Sequence, residues 1–137
     1  MLTPRWPLLL WVGAAALACA HVQDQSAVEE LDHDVDLYWK AMHWQDAIAG
    51  AAFVTTDQRT EWLRVRDKAE KSLSITSWEI QGEKLDRAGQ AATALVKITW
   101  FKLPSTVEET DLVEQRWVHV AGHWLAASEK GGPLPFP

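Results

Sequence analysis

The feature that most constrains this sequence is a change of hydrophobic period at Leu73. Before that residue, apolar side chains recur every three or four positions, as they do on one face of an α-helix. After it, apolar and polar side chains alternate, which is typical of half-buried β-strands. A chain of 137 residues has room for one ordinary domain. The sequence therefore predicts an α+β fold in which helices come first and antiparallel strands follow.

Three helices are predicted before the change of period. Ser26 and Glu29 have the spacing of a capping box at the start of the first helix. Asp46 or a neighbour is a candidate N-cap for the second helix, which is rich in small residues. The predicted helices span residues 28–42, 47–54 and 58–71.

Four strands are predicted after the change of period. In the first strand the apolar side chains change from odd-numbered to even-numbered positions between Ile75 and Trp78, which indicates a β-bulge near Ser77. The segment 131–137 is rich in proline and glycine, and we expect it to be extended and mobile. The predicted strands span 73–85, 91–103, 106–120 and 124–128. Six tryptophans are expected in the core, namely Trp39, Trp62, Trp78, Trp100, Trp117 and Trp124.

The N-terminal residues 1–18 have the pattern of an export signal. A basic start leads into a charge-free run that ends at Ala20 and is too short to span a bilayer, which takes about 20 apolar residues. The chain's single cysteine, Cys19, directly follows the segment Ala15-Ala16-Leu17-Ala18. This arrangement resembles the bacterial lipobox, which implies that Cys19 is lipidated and becomes the new N-terminus. The alternative is ordinary cleavage after Ala20 and secretion.

These observations divide the chain into a signal peptide (1–18), a lipidated cysteine with a polar tether (19–27), a domain (28–130) and a tail (131–137). A net charge of −6 is unfavourable for anionic headgroups, so the acyl chains on Cys19 would provide the attachment to the bilayer. In a Gram-negative cell, Ala20 after the cysteine resembles the default signal for the outer membrane, facing the periplasm. The same charge argues against nucleic acid as a partner, and one cysteine excludes an internal disulfide.

Two stretches carry a resemblance to a known superfamily. One is Tyr38-Trp39-Lys40-Ala41 with Asp46 and Phe53, and the other is the pair of segments 115–118 and 122–125. Together with the order of the elements, they resemble the nuclear transport factor two-like superfamily, a cystatin-like α+β fold that includes ketosteroid isomerases. The resemblance implies a curved antiparallel sheet that wraps the first helix and forms a cone-shaped roll with a pocket. Some members are isomerases or dehydratases, and many only bind ligands or partners.

The resemblance also suggests roles for individual residues. Tyr38 matches the tyrosine with which ketosteroid isomerases donate to an oxyanion, and Glu61 falls by count at the place of the base. Glu61, however, is in a predicted helix, and Gln115, near the place of the second donor, cannot act as an acid. No catalytic residue is therefore assigned. The candidate pocket residues are Tyr38, Trp39, Trp62, Trp100, Gln115 and Trp117.

Asp32, Asp36 and His43 share one flank of the first predicted helix, beside its apolar stripe. Such a flank is usually solvated, and we predict neither a metal nor another cofactor here.

We expect a membrane-anchored, non-catalytic domain that binds a small apolar ligand or a protein partner. Two alternatives stay open. One is an isomerase- or dehydratase-type enzyme with Tyr38 as proton donor and Glu61 as base, and the other is a structural subunit that dimerises through the open face of its sheet.

Overall fold

A computed structural model describes residues 15–137, with side chains from residue 25 onward. The element order is α1 (Ala15–His43), α2 (Ala47–Ala51), α3 (Thr56–Ala69), β1 (Leu73–Leu85), β2 (Ala91–Lys102), β3 (Glu109–Val120) and β4 (His123–Lys130). The predicted α+β order, with helices before strands, is confirmed. None of the described helices is long and apolar enough to cross a membrane.

Helix α1 begins earlier than the capping box predicts. It already includes residues 21–27, so this segment is helical and not an extended tether. At its other end, Gln45 adopts a positive φ of 55°, and the amides of Gln45 and Asp46 bond back to the carbonyls of Met42 and Ala41. This is the hydrogen-bond pattern of a Schellman motif, which satisfies the last carbonyls of a helix.

The chain reverses after α1 and enters two further helices. Asp46 is the N-cap of α2, as predicted, and its carboxylate accepts a hydrogen bond from the Ala49 amide at 3.0 Å. Gly50 is buried between helices: a Cβ at this position would lie 2.5 Å from Met42 Cε and 2.8 Å from Trp62 Cη2. The glycine therefore allows α2 to pack closely against α1 and α3.

The four strands form one antiparallel meander in the order β1-β2-β3-β4. A register shift between Ile75 and Ser77 confirms the bulge predicted near Ser77, and β1 has a second shift between Ile80 and Gly82. A third shift, in β4, lies opposite the step from Arg116 to Trp117 and leaves Ala127 without a partner. Bulges of this kind bend and twist the strands that contain them.

The core lies between α1 and the inner face of the sheet. Helix α1 contributes Leu31, Val35, Tyr38 and Trp39, all of them buried. Of the six tryptophans expected in the core, four are buried, whereas Trp78 and Trp100 are only partly buried at its margin. The strands complete the core with Ile75, Ala92, Ala94, Val96, Ile98, Val113, Trp117, Trp124 and Ala126.

The C-terminal segment 131–137 is folded, contrary to the expectation that it is extended and mobile. The Glu129 amide donates to the Phe136 carbonyl at 2.8 Å, and the Phe136 amide donates to the Glu129 carbonyl at 3.0 Å. Phe136 is buried and belongs to the core cluster. A non-local pairing with the edge of β4 thus fixes a segment whose composition alone suggests mobility.

Candidate functional site

The centre of the cone contains a buried carboxylate, Glu129 of β4. Its Oε1 accepts a hydrogen bond from the Tyr38 hydroxyl at 3.0 Å and another from Gln115 Nε2 at 2.9 Å. Its Oε2 accepts from Arg66 Nη2 at 3.2 Å. All three donors come from different elements, α1, β3 and α3, so the carboxylate ties the helices to the sheet.

Three indole N–H groups are satisfied around the same centre. Trp39 Nε1 and Trp117 Nε1 donate to Gln115 Oε1, at 3.2 Å and 3.3 Å. Trp62 Nε1 lies 3.4 Å from the Tyr38 oxygen, and the Arg66 guanidinium stacks 5.0 Å from the centre of the Trp62 ring. We call the seven residues of this cluster the buried network: Tyr38, Trp39, Trp62, Arg66, Gln115, Trp117 and Glu129.

The ionisation states within the buried network follow from burial and from the ion pair. Burial, followed by the nearby Glu129 carboxylate, raises the pKa of Tyr38, so the phenol stays protonated and acts as a donor. Burial also raises the pKa of Glu129, against the lowering effect of Arg66 and of the hydrogen bonds from Gln115 and Tyr38. The carboxylate is therefore stabilised in its charged form only by its neighbours in the network.

A cleft lies beside the buried network. Arg66 and Glu129 are among its lining residues, and the space in it, which is partly open to solvent, has a volume of about 50 Å³. Pro133 and Leu134 of the C-terminal segment form one of its walls. We call this feature the mouth cleft. Its other lining residues are Trp39, Met42, Gln45, Ala47, Ala69, Glu70, Leu73 and Ile75.

One polar residue fixes the rim of the mouth cleft. The side-chain amide of Gln45 donates to the carbonyls of Glu70, at 2.6 Å, and Leu73, at 2.9 Å. These bonds join the end of α1 to the connection between α3 and β1. The rim is thus held on rigid elements, whereas the wall formed by residues 133–134 belongs to the terminal segment.

Five of the six predicted pocket residues come together in the buried network, namely Tyr38, Trp39, Trp62, Gln115 and Trp117. The structure does not place Trp100 with them. Its indole N–H donates to Asp111 at 2.7 Å, near the other end of β2.

The candidate base, Glu61, does not belong to the buried network. Glu61 is exposed on α3 and forms an ion pair with Arg64 at 2.6 Å. A hydrogen bond from Arg64 lowers the pKa of Glu61, which is an ordinary behaviour for a surface carboxylate. Tyr38 and Gln115 therefore converge, but not on Glu61.

Two residues of the buried network were missed by the sequence analysis, Arg66 and Glu129. Strict alternation from Trp124 and Ala126 would point Ser128 inward and Glu129 outward. The bulge at Ala127 adds one residue to the strand, so the inward-facing positions after it move by one, and Glu129 is buried. The available signal was the sharp loss of alternation after Ala126, together with an arginine next to the apolar positions of the third predicted helix.

Two residues on the acidic flank of α1, Asp36 and His43, form hydrogen bonds within the fold. Asp36 accepts a hydrogen bond from Trp78 Nε1 at 2.9 Å, and His43 Nδ1 lies 2.7 Å from the Ile75 carbonyl oxygen. Among residues whose side chains the structure describes, no group of three or more His, Cys, Asp or Glu could hold a metal ion. The predicted signal peptide lies mostly outside the described residues, as does the side chain of Cys19.

Solved structures of other proteins share the fold of this chain. The sequence matches no family profile and no curated protein. Among solved structures, an NTF2-like protein with a cystatin-like fold from Novosphingobium aromaticivorans is similar at 13% identity, with a TM-score of 0.65 over 88% of this chain and 90% of that one. A ketosteroid isomerase-like protein from Erwinia carotovora atroseptica has 15% identity and a TM-score of 0.61 over 77% and 96% of the two chains. An NTF2-like protein of unknown function from Pseudomonas putida has 11% identity and a TM-score of 0.65 over 80% and 88%.

The chain has the NTF2-like, cystatin-like fold. The expected resemblance is confirmed at the level of the fold, since all these identities are below 25%. The activity of this chain has to be argued from its own residues, because this fold carries many unrelated functions.

Proposed function

We propose that this protein is a membrane-anchored, non-catalytic binding domain whose site is the mouth cleft. The observation that carries the proposal is the closure of the buried network. The Tyr38 hydroxyl donates a hydrogen bond to Glu129, and both oxygens of Glu129 already accept from Tyr38, Gln115 or Arg66. Proton transfer requires an acid or base within reach of a substrate. The groups suited to that chemistry here are engaged with each other.

The mouth cleft suits a neutral ligand that is mostly apolar and has one hydrogen-bond acceptor. Its lining residues are largely apolar, and Arg66 is one of them. Within the part of the chain that the structure describes, hydrogen bonds from the Arg66 guanidinium all come from Nη2. Nε and Nη1 can therefore donate to a carbonyl or hydroxyl oxygen. An anion is disfavoured, because two acidic residues, Glu70 and Glu129, are among the lining residues.

The enzyme alternative has less support. A ketosteroid-isomerase-like mechanism needs a carboxylate base near the tyrosine donor. Glu61 is exposed and paired with Arg64. Glu129 is near Tyr38, but the guanidinium of Arg66 pairs with it and opposes its uptake of a proton. The tyrosine donor and the nearest buried carboxylate therefore bind each other, which favours the binding proposal over the enzyme alternative.

Binding to the mouth cleft can be tested with three probes of similar size. We expect acetophenone, which is neutral and has an acceptor, to raise the melting temperature of the wild type and to perturb its tryptophan fluorescence. Ethylbenzene lacks the acceptor and benzoate is an anion, so both should bind more weakly.

A blocking variant and its control test whether the probe binds in the cleft. Ala69→Leu places a larger side chain in the cleft lining, whereas Ala49→Leu is on an exposed position of α2 outside the cleft. Acetophenone binding should be lost in the first variant and retained in the second. Equal binding by both variants would contradict the assignment of the site.

The anchoring part of the proposal rests on the lipobox-like sequence that ends at Cys19. The backbone from Cys19 to Leu31, the first buried residue of α1 among those described, is continuous helix and rises about 18 Å. An acylated Cys19 would therefore hold the cone near the surface of the membrane, in the bacterial cell envelope. Labelling with a clickable fatty acid should mark the wild type and not Cys19→Ser. Equal labelling of both would exclude the lipid anchor.

A further inference from the structure

The C-terminal segment pairs with the edge of β4 and forms part of the lining of the mouth cleft. The chain leaves β4 and turns through Gly131 and Gly132, whose φ angles are 78° and 72°. A side chain at Gly132 would lie only 3.0 Å from Val113 Cγ2, so the turn is pressed against the inner face of the sheet. Pro133 and Leu134 then line the cleft. The last contact is the backbone pairing of Phe136 with the edge of β4 at Glu129.

The sequence of this segment matches the features that it contacts. Residues 133–137 are Pro-Leu-Pro-Phe-Pro, in which prolines alternate with two large apolar residues. Proline has no amide proton, so of these five residues only Leu134 and Phe136 can donate from the backbone. The Phe136 amide is used on Glu129, and its side chain is buried. Proline also restricts the free chain to extended conformations, which reduces the entropy lost on docking.

Phe136 is the buried residue of the docked segment, whereas residues 131–135 and 137 are partly or fully exposed. Two backbone hydrogen bonds and the side chains of Leu134, Phe136 and Pro133 hold it. A short flexible connection gives such a segment a high effective concentration at its own site, so weak contacts suffice for docking. The same contacts can therefore be exchanged for those of another segment that is held nearby.

We propose that the edge of β4 at Glu129 and the mouth cleft together form a peptide site for an extended segment of a partner protein in which prolines alternate with large apolar residues. The chain's own tail occupies this site until such a partner displaces it. The recognition combines strand addition at a sheet edge with a side-chain pocket. This inference rests on the proposed binding function and names the chemistry of its partner.

The test uses the full chain and a synthetic peptide of residues 131–137. In the variant Leu134→Ser/Phe136→Ser the tail should leave the site, and this variant should bind the peptide at least about tenfold more tightly than the wild type does, because competition by the tail is removed. The control peptide carries the same two substitutions and should not bind. Equal affinity of both chains for the peptide, or of the variant for both peptides, would overturn the proposal.

A second measurement does not depend on the variant. In the ¹⁵N-labelled wild type, an excess of the unlabelled peptide should shift the amide signals of Leu134 and Phe136 to the positions of a free tail. Unchanged signals would overturn the proposal. A concentration-dependent dimer that disappears in the double variant would assign the site to the tail of a second copy and overturn the partner assignment. Binding of acetophenone without binding of the peptide would refute the peptide site and leave the proposed function unaffected.

Discussion

The ion pair between Arg66 and Glu129 provides the sharpest test of how this fold is stabilised. Both side chains are buried, and Arg66 Nη2 lies 3.2 Å from Glu129 Oε2. Removing one partner of a buried ion pair typically costs about 3–5 kcal/mol, because the other charge stays buried without compensation. We expect Arg66→Met to destabilise the fold by about that amount. Glu129→Gln should cost about 2–4 kcal/mol, since it leaves the buried guanidinium without its anion.

A double-mutant cycle separates the pair from its surroundings. The variant Arg66→Met/Glu129→Gln has no buried charge at either position, so its loss should be smaller than the summed single losses by about 1–3 kcal/mol. Arg64→Met is the matched control: Arg64 is in the same helix, it and its partner Glu61 are exposed, and its loss should be much smaller than that of Arg66→Met. Urea unfolding followed by tryptophan fluorescence measures all of these free energies.

The pH dependence of Arg66→Met adds a second check. Burial raises the pKa of Glu129, and Arg66 opposes this effect in the wild type. Without Arg66 the folded state favours the protonated carboxyl, so ionisation costs stability as the pH rises above the unfolded value of about 4.3. The loss in Arg66→Met should therefore be larger at pH 8 than at pH 5. Additive and pH-independent losses would refute the view that this ion pair stabilises the charged carboxylate.

Three further predictions concern packing and titration. Trp117→Ala should cost about 3–5 kcal/mol because Trp117 is fully buried, and Trp100→Ala should cost clearly less because Trp100 is partly exposed, both measured by urea unfolding. Gly50→Ala should destabilise by about 1–3 kcal/mol because its Cβ would collide with the Trp62 ring, whereas Gly82→Ala, with nothing within 4 Å, should not destabilise through overpacking. Burial, then the charge of Asp32, raises the pKa of Glu83 to about 7, so ionisation destabilises the fold as the pH rises from about 4.5 to 7. Glu83→Gln should thus be more stable than the wild type at pH 8 and similar to it at pH 4.5. Because Glu83 is only half-buried, we expect the gain in the free energy of unfolding at pH 8 to be less than about 1 kcal/mol. The same gain at both pH values would contradict this explanation.

The elements of the fold were predictable from the sequence because they depend on local periodicity. The change of period at Leu73 predicts the start of β1, and the parity switch before Trp78 predicts its first bulge. The C-terminal segment was not predictable in this way. Its position depends on the pairing of Phe136 with a strand edge and on the apolar cleft below it, and composition contains no information about either contact.

The candidate site was predicted in part for the same reason. Tyr38 and Gln115 occupy regular positions of a helix and a strand, so periodicity places them correctly on the inner face. Glu129 follows a bulge, and its burial reverses the expectation from strict alternation. Arg66 is a charged residue, and charged residues are rarely buried unless they are paired. Its burial therefore could not be expected before its partner Glu129 was known.

The tryptophans of the core explain why the interior of this cone is closed. Trp39, Trp62, Trp117 and Trp124 fill the space between α1 and the sheet, and a buried indole needs an acceptor for its N–H. Gln115 accepts from two of these indoles, and the Tyr38 oxygen lies within reach of a third. The polar groups of the interior thus satisfy three of these four indoles, whereas the N–H of Trp124 is buried without a partner among the described residues. Glu129 and Arg66 in turn bind Gln115 and Tyr38. The side chains of the buried network thus bind one another in the part of the chain that the structure describes, and this supports our proposal that a ligand binds at the mouth cleft, where Arg66 is one of the lining residues.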